Sequence, residues 1–198
     1  MLTKLFFPVG LPGLLVLGIG FAVFVGTLIL ANLRTGHKEQ GGRRDGRSMT
    51  GIVLQGLGIA VAAFGPVRMT LPTDSISAIG SAVVVGALMA GTIGLFWASS
   101  RAMGRNWAIV AQTRADHQLV QSGPFAWVRN PIYDALFLFL LAMGIGYGHY
   151  WSILPATVIY WIGTMMRVRI EERLLHAQFG AAYDDYRARV KRFVPGLI

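Results

Sequence analysis

The sequence predicts an all-α integral membrane protein of five transmembrane helices, with its N-terminus outside and an amphipathic C-terminal tail in the cytoplasm. Three observations predict it. Only 14% of the 198 residues are charged while 54% are hydrophobic, against about a quarter charged in ordinary soluble domains. The uncharged residues come in long unbroken stretches. Sixteen of the eighteen Lys and Arg residues fall on one side of those stretches when the chain crosses five times.

Leu5 to Leu33 carries no charge over 29 residues, Ser48 to Val67 none over 20 and Ser75 to Ser100 none over 26. Each meets the roughly 20 apolar residues that a helical crossing needs. Asn130 to Met166 holds one acid, Asp134, in 37 residues. At about 1.5 Å per residue this is too long for one crossing and suits two short ones, with a reversal in Gly144-Ile-Gly-Tyr-Gly-His149. The expected spans are about 8–33, 48–67, 76–98, 131–147 and 150–168, in a single membrane domain covering 1–198. The first is expected to be a retained helix rather than a signal peptide, because it is long and has no Ala-x-Ala-like site before Arg34. Gly56 and Gly58 in the second span, and Gly86, Gly91 and Gly94 in the third, allow close helix packing or are ordinary membrane glycines.

The charges fix the orientation. Loops holding Arg34 to Arg47, Arg101 to Arg129 and Arg167 to Arg192 carry sixteen basic residues on one side, and only Lys4 and Arg68 lie on the other. A single crossing of Asn130 to Met166 would divide them nine against nine. Cytoplasmic loops are enriched in Lys and Arg, so the basic side is cytoplasmic. The formal charge of +9 is thereby a membrane-orientation signal, and nucleic acid is not an expected partner. With no cysteine, thiolate nucleophiles, disulfides and cysteine-ligated metals are excluded.

The cytoplasmic segments differ in character. Residues 34–47 are polar and glycine-rich and read as a loop. Residues 101–130 mix polar groups with Trp107, Ile109, Leu119, Val120, Phe125, Trp127 and Val128, too long and too apolar for a mere connector. Gly123-Pro124 marks a turn there. Asn130-Pro131 marks a helix start, with Asn130 as N-cap and Pro131 at the first helical position. After the fifth span the helix is expected to continue through Arg167-Val-Arg-Ile-Glu-Glu-Arg173, where Arg167 can pair with Glu171 and Arg169 with Glu172. Leu175, Phe179, Tyr183, Tyr186 and Val190 then form an apolar stripe that should lie on the protein or membrane surface, with Gly180 as an interruption. On these residues alone, Arg167 and Glu171 are either an interfacial anchor or part of a site, and Asp134 either complements the helix dipole or serves chemistry.

Taken in order, Gly104-Arg-Asn-Trp107, His117-Gln-Leu-Val120, Ser122-Gly-Pro-Phe125, Val128-Arg-Asn-Pro-Ile-Tyr133, Glu171-Glu172, Phe179-Gly180, Tyr183, Tyr186 and Phe193-Val-Pro195 resemble the isoprenylcysteine carboxyl methyltransferase family. Phospholipid N-methyltransferases and bacterial homologues share much of the pattern. The likeness covers about residues 90–198. The family pattern usually has His where this chain has Asn130 and Tyr where it has Phe125.

The resemblance implies an S-adenosyl-L-methionine-dependent methyltransferase in a bacterial inner membrane, with 101–130 and 169–198 as its cytoplasmic cofactor-binding region. Gln112, His117, Gln118, Leu119, Val120, Phe125, Asn130, Pro131, Ile132, Tyr133 and Glu171 would contact the cofactor, and Arg167 would face the acceptor. Phe125, Trp127 and Tyr133 offer ring faces for adenine or the sulfonium. No metal is implied. A carboxylate acceptor needs only a cation such as Arg167 to hold it, whereas an amine needs a base, with Glu172 and His117 as candidates. Arg167, Glu171 and Glu172 are thus the catalytic candidates. Arg101, Arg105 and the basic residues of the tail are expected to touch the membrane surface.

The implied acceptor is lipophilic, its prenyl or acyl chain in the bilayer. An isoprenylcysteine-type carboxylate is favoured over a phospholipid amine or a thiol. An NADPH-dependent sterol-reductase-like enzyme shares a similar Gly-Pro-Phe and Asn-Pro-x-Tyr tail, but such chains are usually longer. A transporter or noncatalytic scaffold is disfavoured by the near absence of intramembrane charge. Gly144-Ile-Gly-Tyr-Gly148 mimics a dinucleotide loop but has no strand before it. Nothing in the residues fixes the oligomeric state.

Overall fold

The computed structural model describes residues 6–34, 43–44, 47–104, 112–113 and 119–197. Among these residues the fold is helical, with four two-residue strands. Helices α1 (Leu11–Arg34), α2 (Arg47–Ala63), α3 (Ile76–Met103), α4 (Pro131–Gly146) and α5 (Tyr150–Phe179) form a bundle, and α6 (Ala181–Arg189) follows. Two of these helices, α1 and α3, are long and apolar enough to cross a membrane, and shorter apolar helices run over Ser48–Ala63 and Pro131–Gly146.

Local chemistry accounts for the boundaries. Helix α1 starts at Leu11 rather than near 8 because Pro8–Val9 form a strand, β1. Helix α2 stops at Ala63, short of 67, where Gly65 takes φ +144° and Pro66 follows. Such a φ favours glycine, and a proline cannot continue the helical hydrogen bonds. The Ser75 hydroxyl accepts from the Ala78 N–H and caps α3, which runs on to Met103. Pro131 opens α4 as expected, but the Asn130 side chain makes no cap; its amide donates to the Arg192 carbonyl instead. Gly180, at φ +51°, separates α5 from α6.

The connections gather at two ends of the bundle. At one end β1 pairs in parallel with β3 (Arg68–Met69), Phe7 N–H donates to Gly148 O, and the fully buried His149 ring lies 3.3 and 3.4 Å from the Ala62 and Pro66 carbonyls. These contacts bring residues 6–10, the α2–α3 connection and the α4–α5 turn together. At the other end β2 (Arg43–Arg44) pairs antiparallel with β4 (Gln112–Thr113). There too, Arg129 N–H donates to Lys191 O.

Helix α4 is central. Its Ala135, Phe139 and Ala142 pack with Leu17 and Phe24 of α1 and Val85, Met89 and Phe96 of α3, while Leu140 joins Ala62, Ala156 and Tyr160 of α2 and α5. The outer faces are apolar as well: Ile19, Val53, Val83 and Leu154 are all more than 60% exposed. Large apolar side chains turned outward on several helices mark a surface made for an apolar surrounding.

Helices α2 and α5 touch most closely, at small residues. A Cβ on Gly163 would lie 2.7 Å from Gly51 O and 2.8 Å from Leu54 Cβ; one on Gly58 would lie 2.9 Å from the Ala156 carbonyl. Of the glycines singled out from sequence, Gly58 sits in a close crossing and Gly91 meets Leu138, whereas Gly56 and Gly94 face open space. Gly51 and Gly163 are the tightest pair on the α2–α5 seam and the sequence did not single them out. Replacing Gly163 with alanine should lower stability by about 1–3 kcal/mol through overpacking. Gly94→Ala should leave the thermal midpoint in detergent within a degree or two of the wild type.

Candidate active site at the basic end of the bundle

Arg167 lies on the last buried turns of α5 and is only 8% exposed. A guanidinium stays charged in a protein, so burying one requires partners. Glu171, one turn later on α5, supplies a carboxylate, with Arg167 Nη2 3.3 Å from Glu171 Oε1. Helix α2 supplies an amide, with Arg167 Nη1 donating to Gln55 Oε1 at 3.3 Å and Gln55 Nε2 donating to Thr164 Oγ1 at 2.9 Å. Helix α4 supplies an aromatic face, with the guanidinium carbon 5.2 Å from the centre of the Tyr133 ring. Tyr133 in turn donates its hydroxyl to Glu171 Oε1 at 2.5 Å and receives the Tyr160 hydroxyl on its backbone carbonyl at 2.7 Å. Three helices therefore converge on one cation. Among the described residues the second oxygen of Glu171, whose side chain is 27% exposed, meets no donor.

Glu172, the next residue, faces a second cluster. Arg192 binds it through two parallel contacts, Nε to Oε1 at 2.9 Å and Nη2 to Oε2 at 2.7 Å, and Arg129 Nη1 lies 2.9 Å from Oε1. Arg129 also donates to Tyr183 Oη at 3.1 Å, and Tyr186 donates to the Phe125 carbonyl at 2.7 Å. Asn130 N–H reaches Arg192 O at 3.0 Å, and Trp161 meets Phe193 edge-on at 4.6 Å. These contacts bind the 123–130 turn, α5 and the tail into one unit. Burial pushes the Tyr186 hydroxyl up to about 12. Burial, reinforced by the nearby Glu172 charge and opposed by Arg129, also raises Tyr183. The hydrogen bonds to Glu172 raise Arg192 further above its ordinary value.

The sequence-predicted residues divide accordingly. Arg167, Glu171 and Tyr133 meet in one network. Phe125, 9% exposed, lies in a 3-10 turn over Gly123–Ala126 packed on the end of α3; Leu119 and Val120 are half-buried beside it in sequence. Pro131 is buried at the start of α4, and Ile132 turns to the α1–α3–α4 core. Trp127, at 71% exposure, is the open ring of the three proposed, since Tyr133 already has a guanidinium on it and Phe125 is buried. The side chain of Gln112, together with His117 and Gln118, lies outside the described residues.

Two expectations are corrected. Glu172 does not pair with Arg169; its two oxygens are held by Arg129 and Arg192 instead. Arg192 is accordingly a partner of Glu172 and not a bare membrane contact. Gln55, Thr164, Arg129, Tyr183 and Tyr186 were missed as site-forming residues, because their partners lie on distant segments. The available signals were an isolated Gln in an apolar helix and the places of Arg129, Tyr183 and Tyr186 among the motif residues.

A helical protein whose outer faces are apolar and which pairs a buried guanidinium with a carboxylate near its basic end defines the class. A profile described as "Phospholipid methyltransferase" matches residues 81–182, just over half of the chain, and the chain belongs to that family. It is 35% identical over 88 residues to a protein-S-isoprenylcysteine O-methyltransferase of Schizosaccharomyces pombe, covering 44% of this chain and 37% of that one. It is 31% identical over 90 residues to a protein of the same name from Tribolium castaneum, covering 46% and 32%. It is also 29% identical over 110 residues to the nickel-cobalt-cadmium resistance protein NccN of Alcaligenes xylosoxydans xylosoxydans, covering 54% and 50%. The chain spans from 32% to 50% of the length of these relatives.

The clamp on Glu172 generates a prediction. Glu172→Gln leaves two guanidinium groups without their counter-charge, one of them with its side chain only 11% exposed, and should cost about 1–3 kcal/mol. Hydrogen exchange should locate the loss, with the Arg129 and Asn130 amides losing protection at least tenfold while the α1–α3 core keeps its own.

Proposed function

We propose that this protein is an S-adenosylmethionine-dependent methyltransferase that works at the cytoplasmic membrane interface on a lipophilic acceptor, and that the favoured reaction is O-methylation of an isoprenylcysteine-type carboxylate. The observation that carries this reading is the Arg167–Glu171–Tyr133 network. It sets a buried guanidinium, suited to an anionic acceptor, beside a carboxylate of which one oxygen meets no donor among the described residues. The donor set fits the cofactor, whose amino, hydroxyl and sulfonium groups all suit a carboxylate and aromatic faces. On the resemblance, Gln112, His117, Gln118, Leu119, Val120, Phe125, Asn130, Pro131, Ile132, Tyr133 and Glu171 hold it.

When bound, S-adenosylmethionine supplies a methyl group activated on a sulfonium, which departs as a neutral thioether. The protein's own part is positioning and the exclusion of water. Tyr133 fixes Glu171 from one side and leaves the other oxygen for the cofactor. Arg167 holds the acceptor carboxylate, which is ionised at neutral pH and has no proton to lose. Because Glu172 is clamped by two guanidinium groups, the amine-methylating alternative lacks one of its two candidate bases. The carboxylate reading thus fits the site better than the amine reading; thiol methylation remains the third alternative.

The favoured topology is five crossings with the N-terminus outside. Two features support it: the grouping of connections at two ends of the bundle, and the apolar outer faces of helices besides α1 and α3. The acceptor's apolar chain would then stay among lipids while its head reached Arg167. Reporter fusions at residues 72 and 198 are expected to report opposite sides of the membrane.

Membranes supplied with labelled cofactor and a prenylated carboxylate should yield a base-labile methyl ester. Glu171→Ala should weaken cofactor binding by calorimetry at least tenfold. Arg167→Lys, which keeps the charge but loses the planar fork, should raise KM for the carboxylate about tenfold and leave cofactor affinity nearly unchanged. A lipid amine as the labelled product would replace the carboxylate reading.

A further inference from the structure

We propose that Ser48, Gln55 and the first turn of α2 complete, together with Arg167, a buried subsite for the oxyanion head group of the acceptor. The inference rests on the methyltransferase reading for the word acceptor, but its geometry is independent of it. Helices α2 and α5 run antiparallel, and their contacts set the register: Gly58 lies against Ala156 and Tyr160, while Gly51 lies against Gly163 and the Arg167 stem. Gln55 on the same stripe reaches Thr164 and Arg167. Ser48 is the next residue on that stripe, one turn before Gly51, and so is level with the turn of α5 that carries Arg167 and Glu171.

Ser48 is fully buried, and among the described residues its hydroxyl has no hydrogen-bond partner. A buried hydroxyl left unpaired is unfavourable, so such a group is a donor waiting for a ligand. It stands at the N-terminal end of a 17-residue helix, where the unpaired backbone N–H groups and the helix dipole favour an anion. The buried guanidinium of Arg167 adds N–H donors and a cation that Glu171 Oε1 meets at 3.3 Å. Gln55 aims it: a guanidinium only donates, so the amide oxygen must face it, and the amide nitrogen is anchored on Thr164. All the α2 residues lie outside the family match at 81–182. The α2 contacts therefore come from a part of the chain separate from the matched segment that carries Arg167.

The test uses the full chain purified in detergent, with hexadecanoate, hexadecyl phosphate and hexadecanol as probes of equal chain length. The two anions are expected to bind and raise the thermal midpoint, and the alcohol is not. Ser48→Ala, which removes one oxygen from a buried site, should weaken anion binding about tenfold while S-adenosylmethionine affinity stays within twofold. Ser48→Asp should abolish anion binding, and Gln55→Leu should weaken it. Tighter binding of hexadecanoate identifies a carboxylate head, and tighter binding of hexadecyl phosphate a phospholipid head. Anion binding that is unchanged in Ser48→Ala, or hexadecanol binding as tightly as the anions, overturns the proposal. A wild-type chain that binds the anions in a Ser48-dependent way but does not bind S-adenosylmethionine would leave the subsite standing and remove the methyltransferase reading. The reverse pattern would do the opposite.

Discussion

A guanidinium inside an apolar bundle cannot shed its proton, so the structure around it must supply charge, hydrogen bonds or a π face. Arg167 receives all three, from Glu171 on its own helix, Gln55 on α2 and Tyr133 on α4. Meeting that demand fixes how the three helices sit against one another. The α2–α5 crossing must be close enough for a glutamine to reach, and it is closed by Gly51, Gly58 and Gly163, where a side chain would collide with backbone. The N-terminus of α4 must present Tyr133, and Pro131 together with the tail's grip on Asn130 determines where that helix starts. The same contacts that neutralise the charge thus bring one cation and one carboxylate together where three helices meet.

The second ionic cluster serves the first. Glu172 follows Glu171 by one residue, so it projects to a different side of α5, where Arg129 and Arg192 hold it. Arg129 directly precedes the Asn130-Pro131-Ile132-Tyr133 start of α4. The clamp therefore transmits the position of the tail to Tyr133 through four residues of chain. Adjacent acids on one helix carry different duties because 100° of rotation separates them.

Much of the fold was legible from the sequence. Uncharged stretches gave the starts of the bundle helices to within a few residues, although α5 runs about a dozen residues beyond its uncharged stretch, and the glycine cluster gave the α4–α5 turn. The i, i+4 pair Arg167–Glu171 could be read directly because its geometry is set by the helix alone. The motif residues Asn130 to Tyr133 were legible as a helix start, but the role of Asn130 was not. Its amide serves the Arg192 carbonyl 62 residues away rather than its own helix. The Glu172 clamp was hidden for the same reason, with partners 20 and 43 residues distant that no local period connects.

The sequence by itself determined which segments are helical, which end of the bundle carries the positive charge and which carboxylate pairs with Arg167 along α5. Only the tertiary structure decided which helices touch, and hence that α2 brings Gln55 and Ser48 to the site. The physical reason is that helices apolar on nearly every face carry no amphipathic stripe to name a neighbour. Partner choice then falls to the shape of small residues and to a few polar side chains in need of one another.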